Sequence, residues 1–488
     1  MDITQSNDLH PAQESVDLSS SEYQLSLIKK GTNYAKLLRA CVVDDGILKL
    51  GKAKRLEAVD FYEKQMEQVD IEKFVPASGA ATRMFKKVYN WIESPQEHKE
   101  EIDSFFAQVE QLACFEDWFQ SADLHDIETF EGGLNSKVSW LKLLIDDKAL
   151  GYGNLPKGLI PFHQYDETAR TPVYEHLKEA VSYAKGKDGC KVHFTVSPAH
   201  LEGFKQRVPA LLNESEFSNE NIAVSYSSQM EQTDTVAADQ HFNVIEVDGK
   251  ELRRPGGHGA LIHNLNNLTS ELVFIKNIDN VCTERLRSTT IEYKKVIAGV
   301  LFMLRSDLEL LFKHMKKGLI DEQEIQELRE KWKIRIPKDY KGLQQFLKRP
   351  IRVCGMVKNQ GEPGGGPFWC IDPILGESTQ IVEQAQINMN DYRQKAIARH
   401  ASHFNPVDLV CFLKDFEGNQ IDLLQYVDHD SYFIADKSFE GDAIRALEWP
   451  GLWNGAMAHW ITLFVEVPIE TFNPVKEFKD LLRSTHLE

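Results

Sequence analysis

Closely spaced cysteines are absent from this sequence of 488 residues. Its seven cysteines lie far apart, and none belongs to a C-x-x-C pair. Cysteine-based zinc sites and disulfide frameworks commonly use closely spaced cysteines, so this spacing argues against zinc and predicts free thiols in a reducing compartment. A pair formed by Cys354 and Cys370 across a hairpin stays open as an alternative.

Long apolar runs are also missing. No stretch of about 18 apolar residues exists that could span a membrane. Residues 1–21 lack the basic and apolar regions of a signal peptide, and their richness in Ser, Asp and Gln predicts a disordered tail. We therefore expect a cytoplasmic protein that does not contact membranes.

Positive charge is scarce, because 56 Lys and Arg face 74 Asp and Glu, for a net charge of −18. The resulting field repels phosphate and argues against a general binder of nucleic acid or of acidic membranes. A nucleotide enzyme needs only a local basic pocket, aided by a bound metal. Internal repeats and the motifs Walker A, H-E-x-x-H and G-x-S-x-G do not occur.

The most informative stretch is FVPASGAATRM, residues 74–84. The apolar run Phe74–Ala77 predicts a buried strand, and the small residues Ser78–Ala81, with Gly79 among them, predict a tight loop before a helix. Free N–H groups at such a helix start, together with the helix dipole, suit a phosphate. Arg83 adds a permanent cation with a planar fork. An ordinary strand-turn-helix without a ligand is the plain alternative.

Three later loops carry residues that suit the same chemistry. Lys157 lies between a proline and a glycine, which makes it a positioned cation. The glycines of Gly257–Gly259 let backbone lie flat against a planar ligand such as a base. Asp279 follows the apolar strand at residues 272–278, where α/β sheets bind ligands and Mg²⁺ finds carboxylates. The alternatives are an exposed loop lysine, a loop with a satisfied histidine and an aspartate that caps a turn.

Strands and helices alternate between residues 191 and 226, which predicts a parallel sheet with helices on its faces. Apolar spacing predicts helices at residues 23–40 and 53–68. We predict an α/β fold that divides into a helical N-terminal extension (22–70), a nucleotide-binding half (71–284), a helical insertion (285–349) and a C-terminal half of the same core (350–488).

Five short motifs then occur in a characteristic order: GAATRM (79–84), PKGL (156–159), GHG (257–259), IDN (278–280) and FNPVK (472–476). In this order they resemble the sugar-1-phosphate nucleotidyltransferases, especially the UDP-sugar pyrophosphorylases. The chain looks still more like an uncharacterised bacterial family, a domain of unknown function related to them. The resemblance implies a Rossmann-like nucleotidyltransferase core of the GT-A type, with a mixed, mostly parallel sheet flanked by helices.

The resemblance also implies substrates and roles. The substrates would be a nucleoside triphosphate, with UTP favoured, and a sugar 1-phosphate, with Mg²⁺ as cofactor and a monomer or homodimer as the assembly. The implied roles are catalytic for Arg83, Lys157 and Lys476, metal-binding for Asp279, and nucleotide-binding for Ser78, Gly79, Ala80, Ala81, Thr82, Gln232, Gly257, His258 and Gly259. Position alone suggests sugar contacts for Glu362, Glu383 and Asn454.

Two departures from the family pattern leave another function open. Ser78 and Ala81 stand where the family has glycines, and each side chain narrows the space for a triphosphate. They favour the alternative of a non-catalytic nucleotide or sugar-nucleotide sensor on the same fold. A glycosyltransferase is a third hypothesis, but the sequence from Asp279 to Val281 lacks the usual D-x-D metal motif.

Overall fold

The structure is a computed structural model, and it describes residues 17–79, 81–123, 132–166, 168–214, 216–361 and 364–488. The chain forms two compact units. Unit 1 comprises residues 1–65, 229–273 and 296–467, and unit 2 comprises residues 66–228, 274–295 and 468–488. The predicted mixed α/β character is confirmed.

The described helices and strands have the following bounds. The α-helices are α1 (Ser21–Lys30), α2 (Lys52–Met66), α3 (Lys86–Glu93), α4 (Lys99–Phe106), α5 (Phe115–Asp123), α6 (Leu134–Ile145), α7 (Pro172–Tyr183), α8 (Leu201–Leu212), α9 (Leu261–Asn266), α10 (Glu284–Lys316), α11 (Glu322–Trp332), α12 (Tyr340–Phe346) and α13 (Tyr392–Arg399). The strands are β1 (Leu37–Ala40), β2 (Val42–Val43), β3 (Gly46–Leu48), β4 (Ile71–Pro76), β5 (His163–Tyr165), β6 (Thr168–Arg170), β7 (Lys185–Gly186), β8 (Gly189–Thr195), β9 (Ile222–Ser227), β10 (Thr235–Ala238), β11 (Glu246–Val247), β12 (Lys250–Glu251), β13 (Arg253–Arg254), β14 (Leu272–Lys276), β15 (Ile351–Lys358), β16 (Gly366–Asp372), β17 (Gly376–Val382), β18 (His403–Phe404), β19 (Asp408–Phe412), β20 (Phe433–Phe439), β21 (Asp442–Glu448) and β22 (Ile461–Glu466).

Within the described residues, unit 1 contains four groups of paired strands, the smallest of which is the pair β11-β12. One runs in the order β2-β3-β22-β15-β19, in which β15 is parallel to β22 and antiparallel to β19. A second, antiparallel group has the order β1-β16-β17, and a third has the order β13-β10-β21-β20. Helix α1 packs on the third group, where Leu27 and Ile28 meet Val236 and Leu447 in a common apolar cluster.

The central strands of unit 2 lead into the loops that contain Ser78 and Asp279. β8 is parallel to both β4 and β9, and β14 lies beside β4. The predicted β-α-β alternation is confirmed here, since α8 connects β8 to β9. Helices α3 to α6 enclose an aromatic core that includes Trp91, Trp118 and Phe478.

One predicted helix was wrong in its second half. The helix expected at residues 23–40 ends at Lys30, because Gly31 takes a φ of +84° that terminates it. Leu37–Ala40 is instead strand β1, held by antiparallel pairing with β16 more than 300 residues later. A local apolar spacing does not reveal such a distant partner.

The structure bears on the predictions made from the scattered cysteines, the missing apolar runs and the polar N-terminal tail. All seven cysteines are free and buried, so the predicted free thiols are confirmed and Cys354 does not bond to Cys370. No helix within the described residues is long and apolar enough to cross a membrane. Of the predicted disordered tail, residues 1–16 lie outside the described residues, whereas Ser20 caps α1 by accepting from the Tyr23 N–H.

Candidate functional site

The loop after β4 begins the predicted phosphate site. β4 is buried along nearly its whole length, and the Ala77 N–H donates to the Thr195 carbonyl at 2.9 Å, which continues the pairing with β8. A single 3-10 turn, Ala81–Arg83, follows, and α3 begins only at Lys86. The α-helix therefore starts later than the sequence pattern predicted.

Not every N–H of this loop faces a ligand. The Ala81 N–H donates to the Leu155 carbonyl at 3.3 Å, so it is already engaged within unit 2. Ser78, Gly79 and Thr82 stand in the described part of the loop, whereas Ala80 lies outside the described residues. Arg83 is exposed, and no ion pair to it occurs within the described ranges. The described part of the loop thus carries an exposed guanidinium.

Lys157 is held in place by two acceptors. Its Nζ donates to Asp279 Oδ2 at 3.0 Å and to the Val475 carbonyl at 2.8 Å. The glycine of the P-K-G motif has a packing reason, since a Cβ on Gly158 would lie 3.0 Å from Phe204 and 3.1 Å from Ile278. The loop therefore brings a directed cation to Asp279, three residues after the end of β14.

Asp279 lies between two lysines. Its Oδ2 is 3.6 Å from the Nζ of Lys476 as well as 3.0 Å from that of Lys157. Burial alone would raise the pKa of the Asp279 carboxyl, but the two lysine charges outweigh burial and hold this pKa below its ordinary value. The carboxylate is ionised, and the trio carries one excess positive charge.

The C-terminal motif reaches this site through Asn280. The Asn280 Oδ1 accepts from the Asn473 N–H at 2.8 Å, and the Val475 N–H donates to the Asp279 carbonyl at 3.2 Å. The Asp480 carboxylate then accepts from the Lys476 N–H at 2.8 Å. The I-D-N and F-N-P-V-K motifs are thus joined by main-chain and side-chain hydrogen bonds, which orient Lys476 toward Asp279.

A magnesium ion fits this arrangement only together with a substrate. Within the described residues no group of three or more His, Cys, Asp or Glu side chains gathers as a metal cage. Mg²⁺ commonly binds one or two carboxylates and takes its other ligands from phosphates and water. Asp279 is suited to such a role, because it is a single carboxylate placed among cations that attract phosphate.

His258, Glu383 and Asn454 form a cluster in unit 1. The Leu452 N–H donates to His258 Nδ1 at 3.0 Å, so the neutral ring carries its proton on Nε2 and donates it to Glu383 Oε1 at 3.1 Å. Asn454 Nδ2 donates to the same oxygen at 2.5 Å. Although burial raises the pKa of Glu383, His258 and Asn454 hold it below its ordinary value. His258 also stacks on Trp453, with 4.2 Å between ring centroids.

The other predicted residues of unit 1 are placed as follows. Gln232 and Gly259 line one cavity of about 590 Å³ together with Trp449, whereas Gly257 turns the chain with a φ of +83°. Lysine and arginine are not among the described residues that line this cavity. Glu362 lies outside the described residues. The assignments of base and sugar contacts stay predictions.

Sequence reasoning missed the charges buried in unit 2. Helix α7 buries Glu175, His176 and Glu179 along with its apolar residues. Glu175, Glu179 and Tyr183 follow one another at intervals of four residues, so the two glutamates share a buried face of the helix with an aromatic ring. That pattern was the available signal, because a glutamate on an apolar face must find a buried partner.

A protein-family model matches almost the whole chain. It carries the description "Domain of unknown function (DUF4301)" and matches residues 5–487. The chain belongs to this family. No curated protein matches the sequence of this DUF4301 member.

Solved structures resemble the DUF4301 chain at low sequence identity. The uridine diphosphate N-acetylglucosamine pyrophosphorylase from Trypanosoma brucei is 13% identical, with a TM-score of 0.50 over 96% of this chain and 74% of that one. The UDP-glucose pyrophosphorylase from Leishmania major is 13% identical, with a TM-score of 0.41 over 94% and 73% of the two chains. At such identity the first likeness shows a related fold and nothing finer.

Proposed function

We propose that this protein is a nucleotidyltransferase that forms an NDP-sugar and pyrophosphate from a nucleoside triphosphate and a sugar 1-phosphate. The observation that carries the proposal is the meeting of Lys157, Asp279 and Lys476 in unit 2. The three come from motifs far apart in the sequence, yet two cations flank one carboxylate after a buried strand. The related fold of the pyrophosphorylase from Trypanosoma brucei supports a Rossmann-like core of the GT-A type, and its substrate class favours uridine.

The reaction needs placement and charge more than proton transfer. An oxygen of the sugar phosphate attacks the α-phosphorus, a new P–O bond forms, and the bond to the β-phosphate oxygen breaks to release pyrophosphate. The attacking oxygen is already anionic, so no general base is required. Catalysis then consists of alignment and stabilisation of negative charge.

Each cation has a place in this scheme. Lys157 would bridge phosphate oxygens, because its Nζ is directed by two acceptors and is largely buried. Lys476, whose side chain is 55% exposed, would approach the incoming sugar phosphate. Arg83 would neutralise the leaving pyrophosphate. The main-chain N–H groups of Ser78 and Gly79 would contact the triphosphate.

Asp279 would hold Mg²⁺ together with the phosphates. Bound there, the ion would withdraw charge from the α-phosphate. The two lysines now occupying Asp279 Oδ2 would then turn toward the phosphate oxygens. The contacts predicted from the sequence stay predictions: His258, Gly259 and Gln232 for the base, and Glu362, Glu383 and Asn454 for sugar hydroxyls.

A sensor without catalysis is the second candidate. The observation that favours it is the bond from the Ala81 N–H to the Leu155 carbonyl, which removes one donor from the phosphate loop. A binder, however, has no need to keep two lysines and a carboxylate together. The enzyme is therefore the proposal, and the sensor is an outcome of its test.

The test is pyrophosphate release with Mg²⁺ across four nucleoside triphosphates and a panel of sugar 1-phosphates. Lys157→Ala should lower the rate by about 10²-fold or more if Lys157 acts on the transition state. Lys99→Ala, on the exposed face of α4, is the matched control and should not change it. Nucleotide-dependent thermal stabilisation without pyrophosphate release would favour the sensor. If neither stabilisation nor release occurs, both the enzyme and the sensor are rejected.

A further inference from the structure

Glu179 of α7 lies buried between two lysines from different strands. Its Oε2 accepts from Lys73 Nζ at 2.9 Å, and its Oε1 accepts from Lys276 Nζ at 2.7 Å. All three side chains are at most 2% exposed. Because Lys73 belongs to β4 and Lys276 to β14, one carboxylate on a helix joins two neighbouring strands of unit 2.

Each of these strands leads into a part of the proposed phosphate site. β4 ends at Pro76, directly before the loop that contains Ser78, and β14 ends at Lys276, three residues before Asp279. The Ile278 N–H donates to the Pro76 carbonyl at 3.2 Å, so the two strand ends are also joined through the main chain. The buried triad therefore lies at the base of both loops.

His176 strengthens the same connection. Its Nε2 donates to the carbonyls of Asn277 and Ile278, both at 3.2 Å, and its own carbonyl accepts from Lys73 Nζ at 3.0 Å. Burial first, and the Lys73 charge second, lower the pKa of His176 well below its ordinary value, so the ring is neutral. Helix α7 thus holds the backbone immediately before Asp279.

A buried charged triad is a costly way to fill a core. Buried charges lose their hydration, and burial lowers the pKa of Lys73 to about 7 although Glu179 favours its charged form. Apolar side chains of similar size often give equal or greater stability. A role in placing the two loops explains why charged hydrogen bonds, which are directional, occupy this position.

We propose that Lys73, Glu179 and Lys276 are positioning residues that set the placement of the phosphate loop and of Asp279. The proposal rests on the proposed function only in that these loops form its phosphate site. Lys73 would govern the loop after β4, and Lys276 would govern Asp279. The two ties are therefore separable by mutation.

Three variants separate placement from stability. Lys73→Met and Lys276→Met each remove one hydrogen-bonded ion pair to Glu179 and leave the other Lys–Glu pair. The triple variant Lys73→Met/Glu179→Leu/Lys276→Met replaces the triad by apolar groups. Lys99→Met is the surface control. The readouts are hydrogen exchange of residues 77–84 and 277–284, the dissociation constant for inorganic pyrophosphate, kcat and KM.

Different defects are expected from the two single variants. Lys73→Met should speed exchange in residues 77–84 and weaken pyrophosphate binding about tenfold, the worth of one misplaced charged hydrogen bond. Lys276→Met should speed exchange in residues 277–284 and lower kcat by about 10²-fold through displacement of Asp279. The triple variant should keep the wild-type melting temperature within a few degrees and show both defects.

The outcomes that overturn the proposal differ from those that overturn the function. A triple variant with wild-type exchange, pyrophosphate affinity and kcat would show that the triad serves stability alone. If the triple variant does not fold, unchanged exchange in both single variants would overturn the proposal. If the wild type releases no pyrophosphate with any substrate pair, the proposed function fails, and exchange still decides the placement.

Discussion

Asp279 lies between two cations, so replacing it by asparagine should have opposite effects on the binding of an anion and on turnover. The substitution keeps the size of the side chain and removes its charge. The trio formed with Lys157 and Lys476 then passes from one excess positive charge to two. A metal-free anion should bind more tightly, whereas turnover that depends on Mg²⁺ should be lost.

The magnitude follows from Coulomb's law. Asp279 Oδ2 contacts the Nζ atoms of both lysines, at 3.0 and 3.6 Å. A phosphate oxygen bound to the same lysines would lie roughly 6 Å from that carboxylate, and with an effective dielectric constant of about 40 the repulsion is about 1.4 kcal/mol. Its removal by Asp279→Asn should tighten binding of inorganic pyrophosphate about tenfold.

Calorimetric titration of pyrophosphate in the presence of a chelator measures this effect directly. Asp188→Asn makes the same change of charge at an exposed position of unit 2 and should leave the affinity within about twofold, since exposed charges are screened. In a parallel assay with Mg²⁺, Asp279→Asn should lose about 10²-fold or more in pyrophosphate release. Weaker or equal pyrophosphate binding by Asp279→Asn would refute the view that Asp279 competes with an anion for the lysines.

Three further predictions concern stability and reactivity. Burial lowers the pKa of His193 from near 6.5 to about 4, so between these values the unfolded chain binds a proton that the folded chain does not. The free energy of unfolding should fall by about 1.4 kcal/mol per unit as pH drops through this range, and His193→Gln should flatten that slope in urea titrations. Phe478→Ala removes a buried ring whose centroid lies 4.9 Å from that of Phe85, so the free energy of unfolding in urea should fall by about 3–5 kcal/mol. A fall of less than about 1 kcal/mol would contradict this packing. The seven cysteines are buried and free, and burial raises the pKa of Cys282 to about 11. The native protein should therefore react slowly with thiol reagents. Rapid labelling of one thiol would contradict that burial.

Local patterns were enough to locate several parts of the site. Both Lys157, between a proline and a glycine, and Asp279, after an apolar strand, were recognisable from the residues beside them. The structure brings these two side chains together with Lys476. Their conjunction was implied only by the order of the motifs, because Lys157 and Val475 are 318 residues apart in sequence.

Other features gave misleading local signals. Apolar spacing continued through Leu37 as though α1 were longer, yet that segment is a strand whose partner is β16. Small residues in the loop after β4 suggested donors for phosphate throughout, yet the Ala81 N–H is bound to Leu155. In both cases a distant backbone group competes for the hydrogen bonds of the segment, and the local sequence does not record that partner.

The sequence by itself determined what is encoded within a few residues. It specified free and scattered cysteines, a deficit of positive charge, the turn-forming glycines and the strand that precedes Asp279. The tertiary structure decided which charges form direct pairs: Lys73 and Lys276 share Glu179, and Lys157 and Lys476 share Asp279. The physical reason is that burial makes a charge stable only beside its partner, and partners distant in sequence are selected by the packing of strands and helices.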